Sequence, residues 1–279
     1  MELDQYRRQS HDIWQQMAAG WDGWNAMLAE AGRPVTDQMV TALAPQPGET
    51  ILELAGGAGV SGFAAASLMK GEGRLIMTDF AQKMVDAQRR RGGELGFRNI
   101  DYRVMDAEQM DLEDDSVDGV LCRWGYMLMA DTTAALRETR RVLRDGGRLS
   151  FSVWGAPDDN QWATITARIL VERGHMEPPE SGAPGIFAMA DPGRTETLMT
   201  GAGFERPHLH EIPLMWTFES FDQFWQYTLE IVGAIALVIA QLDEREREEV
   251  RQETQHRFED FAANGRYEMP GVCINGLTR

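Results

Sequence analysis

The chain has 279 residues, 43% of them hydrophobic, enough to bury a substantial core in one large domain or in a domain with an inserted piece. Forty-four acidic residues against 27 basic ones give a formal charge of −17, which repels phosphate backbones and anionic lipid, so no nucleic-acid or membrane partner is expected. Two cysteines, Cys122 and Cys273, lie far apart and outside any C-x-x-C pair; they signal neither a disulfide framework nor a zinc site, no metal is expected, and a reducing cytoplasm suits them.

Along the chain, MELDQYRRQSHDIWQQ has no long apolar run behind its basic residues, unlike a secretory signal. Tyr6, Trp14, Trp21 and Trp24 crowd this N-terminal part. Pro45-Gln46-Pro47-Gly48 is a turn before a buried strand, ILELA (51–55), and a helix follows at GFAAASLMK. RLIMTDF (74–80) is a strand, QKMVDAQRR a helix, NIDYRVMDAE (99–108) a strand and VDGVLCRW (117–124) another. TTAALRETRRVL (132–143) is a helix, closed by Arg144-Asp145-Gly146-Gly147 before the strand RLSFSVW (148–154). Arg89, Arg90 and Arg91 form the solvated end of their helix.

Beyond Trp154 the pattern loosens, and EPPESGAPGIF (177–187) predicts a surface loop. A helix at TETLMTGAG, a strand at RPHLHEIPLMWTF, helix throughout 220–263 and a last strand at VCINGLTR, pairing with RPHLHEI, complete the chain. The apolar run IVGAIALVIA (231–240) is short of the ~20 residues that cross a bilayer and predicts a core helix or an interface, a homodimer contact among the options. Strands and helices in rotation predict an α/β fold, a doubly wound, mostly parallel sheet of seven strands with a helical insert before the last.

Within 51–66, Gly57-x-Gly59-x-x-Gly62 has the spacing of a dinucleotide-binding turn, yet Glu53 stands four residues before Gly57. A carboxylate at the end of the first strand repels a pyrophosphate and favours an ammonium or sulfonium group. Asp79 ends the second strand 20 residues after Gly59, where an acid accepts both hydrogen bonds of a ribose diol. Asp106-Ala107-Glu108 ends the third, where a carboxylate can accept from an adenine amino group.

Together, ELAGGAG (53–59), TDF (78–80), MDAEQMDLEDDSVDGVL (105–121) and RETRRVLRDGGRLSFSVW (137–154) resemble the class I S-adenosylmethionine-dependent methyltransferases, in the small-molecule style of ubiquinone and menaquinone biosynthesis. The resemblance covers about residues 40–155, and it departs from the family's D/E-x-G-x-G-x-G at Ala55, whose methyl group crowds the methionine end. It implies a Rossmann-like methyltransferase fold with S-adenosylmethionine as cofactor. Glu53, Ala55, Gly57 and Gly59 would surround the amino-acid part, with Asp79 on the ribose and Phe80 against the adenine. Asp106 and Ala107 would hold the adenine edge, and Arg123 would lie beside the methionine moiety. It also implies a helical cover at 1–40 and a cofactor-binding domain at 41–219 and 264–279. The insert at 220–263 is expected over the acceptor, because ligands in open α/β sheets bind beyond the carboxyl ends of the strands, and its apolar composition predicts that Phe224 and Trp225 face the pocket.

The expected reaction is transfer of a methyl group to the oxygen, nitrogen or carbon of a small, lipophilic acceptor, by in-line displacement that needs positioning more than a catalytic side chain. If a proton must leave, the candidates are His11, His175, His208 and His210, each of which also has an ordinary structural explanation. Two rivals stand beside it. A nicotinamide oxidoreductase shares the glycines and Asp79 but leaves Glu53 unexplained, and a silent S-adenosylmethionine-binding regulatory or assembly protein shares everything except turnover.

Overall fold

The computed structural model describes residues 3–180 and 182–279, so Ser181 of the loop at 177–187 and the first two residues of the cover lie outside the described residues. Three helices come first, α1 (Leu3–Gly23), α2 (Asn25–Ala31) and α3 (Arg33–Leu43). Strands and helices then alternate as β1 (Thr50–Glu53), α4 (Val60–Leu68), β2 (Arg74–Asp79), α5 (Gln82–Glu94), β3 (Ile100–Val104), β4 (Val117–Arg123), α6 (Thr132–Val142) and β5 (Leu143–Trp154). The rest is α7 (Gln161–Glu172), α8 (Pro192–Gly201), β6 (His208–Phe218), α9 (Phe221–Ile231), α10 (Gly233–Gln241), α11 (Glu244–Phe258), β7 (Ala262–Ala263) and β8 (Arg266–Thr278).

The sheet runs in the order β3-β2-β1-β4-β5-β8-β6, parallel from β3 to β5, with β8 antiparallel between β5 and β6. This is the doubly wound, mostly parallel arrangement that the alternation predicts. β7 adds a two-residue eighth strand on β8. The period of two along β5 divides its neighbours between the two faces. Ser150 donates to the Met39 carbonyl and Arg148 to that of Leu43, so this face carries α3. Phe151, on the other face, meets Tyr126, whose hydroxyl is bonded to Thr139 of α6. Asn275 of β8 reaches α3 as well, donating to the Val35 carbonyl and to Gln38.

Three segments depart from expectation. Residues 144–147 are not a helix terminus: α6 stops at Val142 and β5 begins at Leu143. The register with β4 jumps from Val117↔Leu143 to Gly119↔Arg148, and Gly146, at φ 75°, turns the bulge. The segment 220–263 is three helices with breaks at Val232 and at 242–243, and its last residues, Ala262 and Ala263, are strand. Phe224 and Trp225 do not line the large cavity at the strand ends. Phe224 is fully buried between α9 and α11, stacked on Phe258 at 4.5 Å and edge-on to Phe218 at 5.2 Å.

Among the described residues no single helix is long and apolar enough to cross a membrane; α9 and α10 reach that composition only together, and they are bent by 99°. Phe224→Ala should cost about 3–5 kcal/mol by opening a cavity between α9 and α11, read as a lower denaturant midpoint at unchanged slope. A shift within error would show that this aromatic cluster does not hold the helices together.

Candidate active site

A cavity of about 1150 Å³ opens at the carboxyl ends of the parallel strands, where open α/β sheets take ligands. Ala55 and Gly57 line it after β1, Asp79 and Phe80 at the end of β2, Asp106 and Ala107 after β3, and Arg123 at the end of β4. The structure thus brings together residues that the sequence scatters over 69 positions, from Ala55 to Arg123. Glu53 and Gly59 stand behind the wall, not in it.

Glu53 is fully buried, and one carboxylate oxygen accepts both from the Ser61 hydroxyl and from the Gly62 backbone amide at 2.6 Å. The Gly62 amide, one of those at the start of α4 that would hold a pyrophosphate in a dinucleotide enzyme, is therefore already engaged by an internal carboxylate, whose charge repels a phosphate. This removes the phosphate-binding reading of the glycine turn. A Cβ at Gly56 would lie 2.6 Å from the same carboxylate, and one at Gly62 would collide with it. Glycine at both positions is thus the condition for burying Glu53. Gly59, at φ 85°, leaves room for Met77 and Phe63. Burial pushes the Glu53 carboxyl up to about 7, against the pull of its two donors and of Arg123.

Ala55 sits at φ 49°, a left-handed conformation that costs an alanine and not a glycine. Its methyl group is accommodated across the cavity rim by Gly125, where an added Cβ would come 2.7 Å from it and 2.7 Å from the Cys122 sulfur. The departure from the family glycine at 55 is matched by a glycine at 125.

Asp79 is only 7% exposed, accepting from the Gly57 and Ala81 amides at 3.0 Å each. Burial raises its carboxyl to about 6. Arg123 donates to Thr36 at 3.3 Å and lies 4.3 Å over the Trp124 ring, but no carboxylate forms a salt bridge with it among the described residues. Burial lowers its guanidinium to about 10, opposed by the charge of Glu53. A half-buried cation that faces a cavity without an ion-pair partner gains from a ligand that supplies the anion.

From Trp124 an aromatic wall runs deeper into the fold. Trp124 stacks on Trp154 at 4.6 Å, Trp154 meets Trp162 at 4.7 Å, and Trp162 meets Trp216 at 4.8 Å, with Tyr227 5.5 Å beyond. All five line the cavity. So does the loop expected at the surface, for Pro178 and Pro179 and the stretch 182–187 form part of the wall, and the Gly185 amide donates to the Met127 carbonyl.

The model of the ubiE/COQ5 methyltransferase family matches residues 2–155, more than half of the chain. The chain belongs to that family. Among curated relatives, a ubiquinone/menaquinone biosynthesis C-methyltransferase UbiE from Acidiphilium cryptum is 30% identical over 214 residues, 72% of this chain and 84% of the relative. The aklanonic acid methyltransferase DauC of a Streptomyces species is 28% identical over 152 residues, 54% of this chain and 68% of the relative. The YcgJ protein of Bacillus subtilis shares the fold with a TM-score of 0.58 at 17% identity, covering 88% of this chain and 97% of that one. The protein is accordingly an S-adenosylmethionine-dependent methyltransferase acting on a small molecule, and the nicotinamide and silent-binder alternatives fall away.

In this methyltransferase α1 lines part of the cavity at the strand ends. Arg7 pairs with Glu108 at 2.5 Å and Asp106 at 3.7 Å, the Tyr6 hydroxyl donates to the Leu128 carbonyl, and Arg90 of α5 pairs with Asp22. Tyr6, Trp14 and Trp21 line the cavity, whereas Trp24 is turned toward α9, where its indole donates to Glu230 at 2.6 Å. The loop after β3 is clamped from α6: Glu138 accepts from the Met110 amide, and Arg141 bonds Glu138, Asp114 and the carbonyls of Met110 and Leu112. This explains the RETRR stretch as scaffold and not as a ligand contact. Of the candidate bases, none lines the cavity: His11 is edge-on to Phe80 at 5.5 Å, His208 and His210 are exposed on the edge strand β6, and His175 follows α7.

Two measurements check this geometry. Gly125→Ala should destabilise by about 1–3 kcal/mol through overpacking, and Ala55→Gly in the same chain should recover part of the loss; strict additivity in a denaturation cycle would show that the two positions do not meet. Glu53, with a folded-state value near 7 against 4.5 unfolded, binds more protons folded than unfolded between those values, so its contribution to stability declines as pH rises through that window. The ligand-free wild type should therefore lose melting temperature relative to Glu53→Gln from pH 4.5 to 7 and hold a constant offset above. An offset constant over the whole range would mean that the carboxyl is not raised.

Proposed function

We propose that the cavity receives S-adenosylmethionine at its charged end and a flat, apolar acceptor along its aromatic wall. The observation that carries this reading is the division of one cavity into two chemistries. One end has Asp79, Asp106 and Arg123 around a glycine turn, and the other has Trp154, Trp162, Trp216 and Tyr227. At about 1150 Å³ the cavity exceeds the usual range for a single small ligand, leaving room for two side by side.

The residues present suit the cofactor. Asp79 retains lone pairs beyond those given to the Gly57 and Ala81 amides, and a ribose diol can donate to them. Arg123, without an ion-pair partner, suits the cofactor's carboxylate, and Ala55 and Gly57 offer backbone beside it. Phe80 and the Asp106-Ala107 stretch suit the adenine, Phe80 by its ring face and Ala107 by its backbone. Glu53 acts from behind the turn, by holding the start of α4 and by adding negative charge near a sulfonium, and Gly59 acts through backbone shape. Bound there, S-adenosylmethionine supplies an electrophilic methyl carbon. This chain's contribution is to hold the acceptor's nucleophilic atom in line with that carbon and to keep water out, the entropic and desolvation share of the barrier.

The acceptor class rests on the aromatic wall and on relatives whose names refer to ubiquinone, menaquinone and aklanonic acid. Helices α9 and α10 lie beside that wall through Tyr227, Ile231 and Ile235, supporting a role for the 220–263 insert on the acceptor side and for α1 as the cover. Free, buried Cys122 and Cys273 suit a reducing cytoplasm, and the charge of −17 suits a small-molecule rather than a nucleic-acid partner.

Calorimetry should detect S-adenosylmethionine and S-adenosylhomocysteine and no NAD. Because a diol donates to the ionised carboxylate, S-adenosylhomocysteine affinity should fall as pH drops from 7 through about 6, where Asp79 takes up its proton. Asp79→Asn should weaken binding by roughly tenfold or more, the loss of hydrogen bonds to a charged acceptor worth about 1–3 kcal/mol, and should flatten the pH dependence. An unchanged affinity in the variant would move the ribose elsewhere.

A further inference from the structure

Tyr227 is 1% exposed and is enclosed by Trp24, Trp162, Trp216 and Phe218 at centroid distances of 5.5–6.4 Å. Its hydroxyl has neither a hydrogen-bond partner nor a charged neighbour among the described residues, and burial alone pushes its pKa far above the ordinary tyrosine value. The other large buried tyrosine, Tyr126, is bonded to Thr139. Buried hydroxyls are almost always satisfied, and one that is not costs about 1–3 kcal/mol. A phenylalanine would fill the same aromatic niche without that cost.

Two unpartnered polar groups belong to this part of the wall, and they differ. The Trp216 indole nitrogen is sealed within the ring stack, with no accessible surface. The Tyr227 hydroxyl is not among the sealed atoms, and its residue lines the cavity at the far end of the aromatic wall from Arg123. An O–H donor at the end of an apolar slot selects what enters it: a ring system carrying an oxygen at that point satisfies the hydroxyl, while the same ring without oxygen leaves it orphaned, and such sites discriminate well beyond what apolar contact achieves.

We propose that Tyr227 is the specificity-determining residue of the acceptor subsite, its hydroxyl donating a hydrogen bond to a carbonyl or phenolic oxygen of a flat aromatic acceptor. The proposal rests on the assignment of the aromatic wall to the acceptor. It makes Tyr227 a positioning residue. The hydrogen bond fixes how far the ring system slides along Trp154 and Trp162, and hence which of its atoms faces the methyl group.

The test uses the full chain saturated with S-adenosylhomocysteine and two tricyclic probes of the same shape, 9-fluorenone, which has a carbonyl, and fluorene, which has none, titrated by quenching of tryptophan fluorescence. The wild type should bind fluorenone three- to tenfold more tightly than fluorene, the range of one neutral hydrogen bond. Tyr227→Phe should abolish that preference while leaving fluorene and S-adenosylhomocysteine affinity unchanged and the melting temperature equal or higher. A wild type without preference, or a variant that keeps it, overturns the role of Tyr227, as does a hydroxyl satisfied only by a trapped water, which would leave both probes alike. Failure of both probes to bind while S-adenosylhomocysteine does would remove the acceptor from this wall and the proposal with it. Failure of S-adenosylhomocysteine itself would instead overturn the cofactor assignment.

Discussion

The burial of one carboxylate organises the ligand-facing half of this methyltransferase. Glu53, at the end of the central strand β1, receives the Ser61 hydroxyl and the Gly62 amide, joining the sheet to the start of α4. An internal acid at a helix N-terminus offsets part of its own desolvation, because the dipole and free amides favour the ionised form. The arrangement dictates glycine at 56 and at 62, since side chains there would occupy the carboxylate's space. It also determines what the turn can accept. With its anion position engaged from within, the turn presents backbone to a ligand whose charge at that point is positive.

The second constraint is the cost of leaving charged groups dry. Asp79 and Arg123 face the cavity with part of their bonding capacity unspent, one carboxylate and one guanidinium on neighbouring parts of the same wall. In the proposed placement a zwitterionic amino acid joined to a ribose would meet both, with its carboxylate toward the guanidinium and its diol toward the acid. The energetics of site and cofactor are in that sense one problem. Interactions that the folded chain does not complete by itself are those that reward binding.

Much of this was legible in the sequence because it is local. Strand-end acids and the glycine spacing follow from the chain's passage out of β1, β2 and β3, each within a few residues of an apolar run. The helix breaks in 220–263 have equally local signals. Gly233 follows the break at Val232, and Asp243 caps α11 by accepting from the Glu246 amide, with a glutamate three residues after the cap as in a capping box. Glu53 lies behind the turn and not in the crevice expected of a strand-end acid, because the Ser61 hydroxyl and the Gly62 amide of α4 have the stronger claim on its carboxylate. The aromatic wall had no such signal. Trp124 follows β4, and Trp154, Trp162, Trp216 and Tyr227 come from β5, α7, β6 and α9; no periodicity links residues that only the sheet order brings together. The same holds for Gly125, whose lack of a side chain is intelligible only beside Ala55.

The division of labour within the chain follows from that difference. The proposed cofactor end is built from short-range geometry, strand ends and one turn. The proposed acceptor end is assembled by long-range packing of large rings on strands and helices that also carry the core. Trp216 and Phe218 are fully buried on β6, and Phe218 is edge-on both to Tyr227 in the acceptor wall and to Phe224 in the α9–α11 cluster. A change of acceptor therefore cannot be made at the wall alone, because the rings that would contact it also hold α9 against the sheet. The hydroxyl of Tyr227 is the exception, since it contributes nothing to that packing and can be removed without moving a ring.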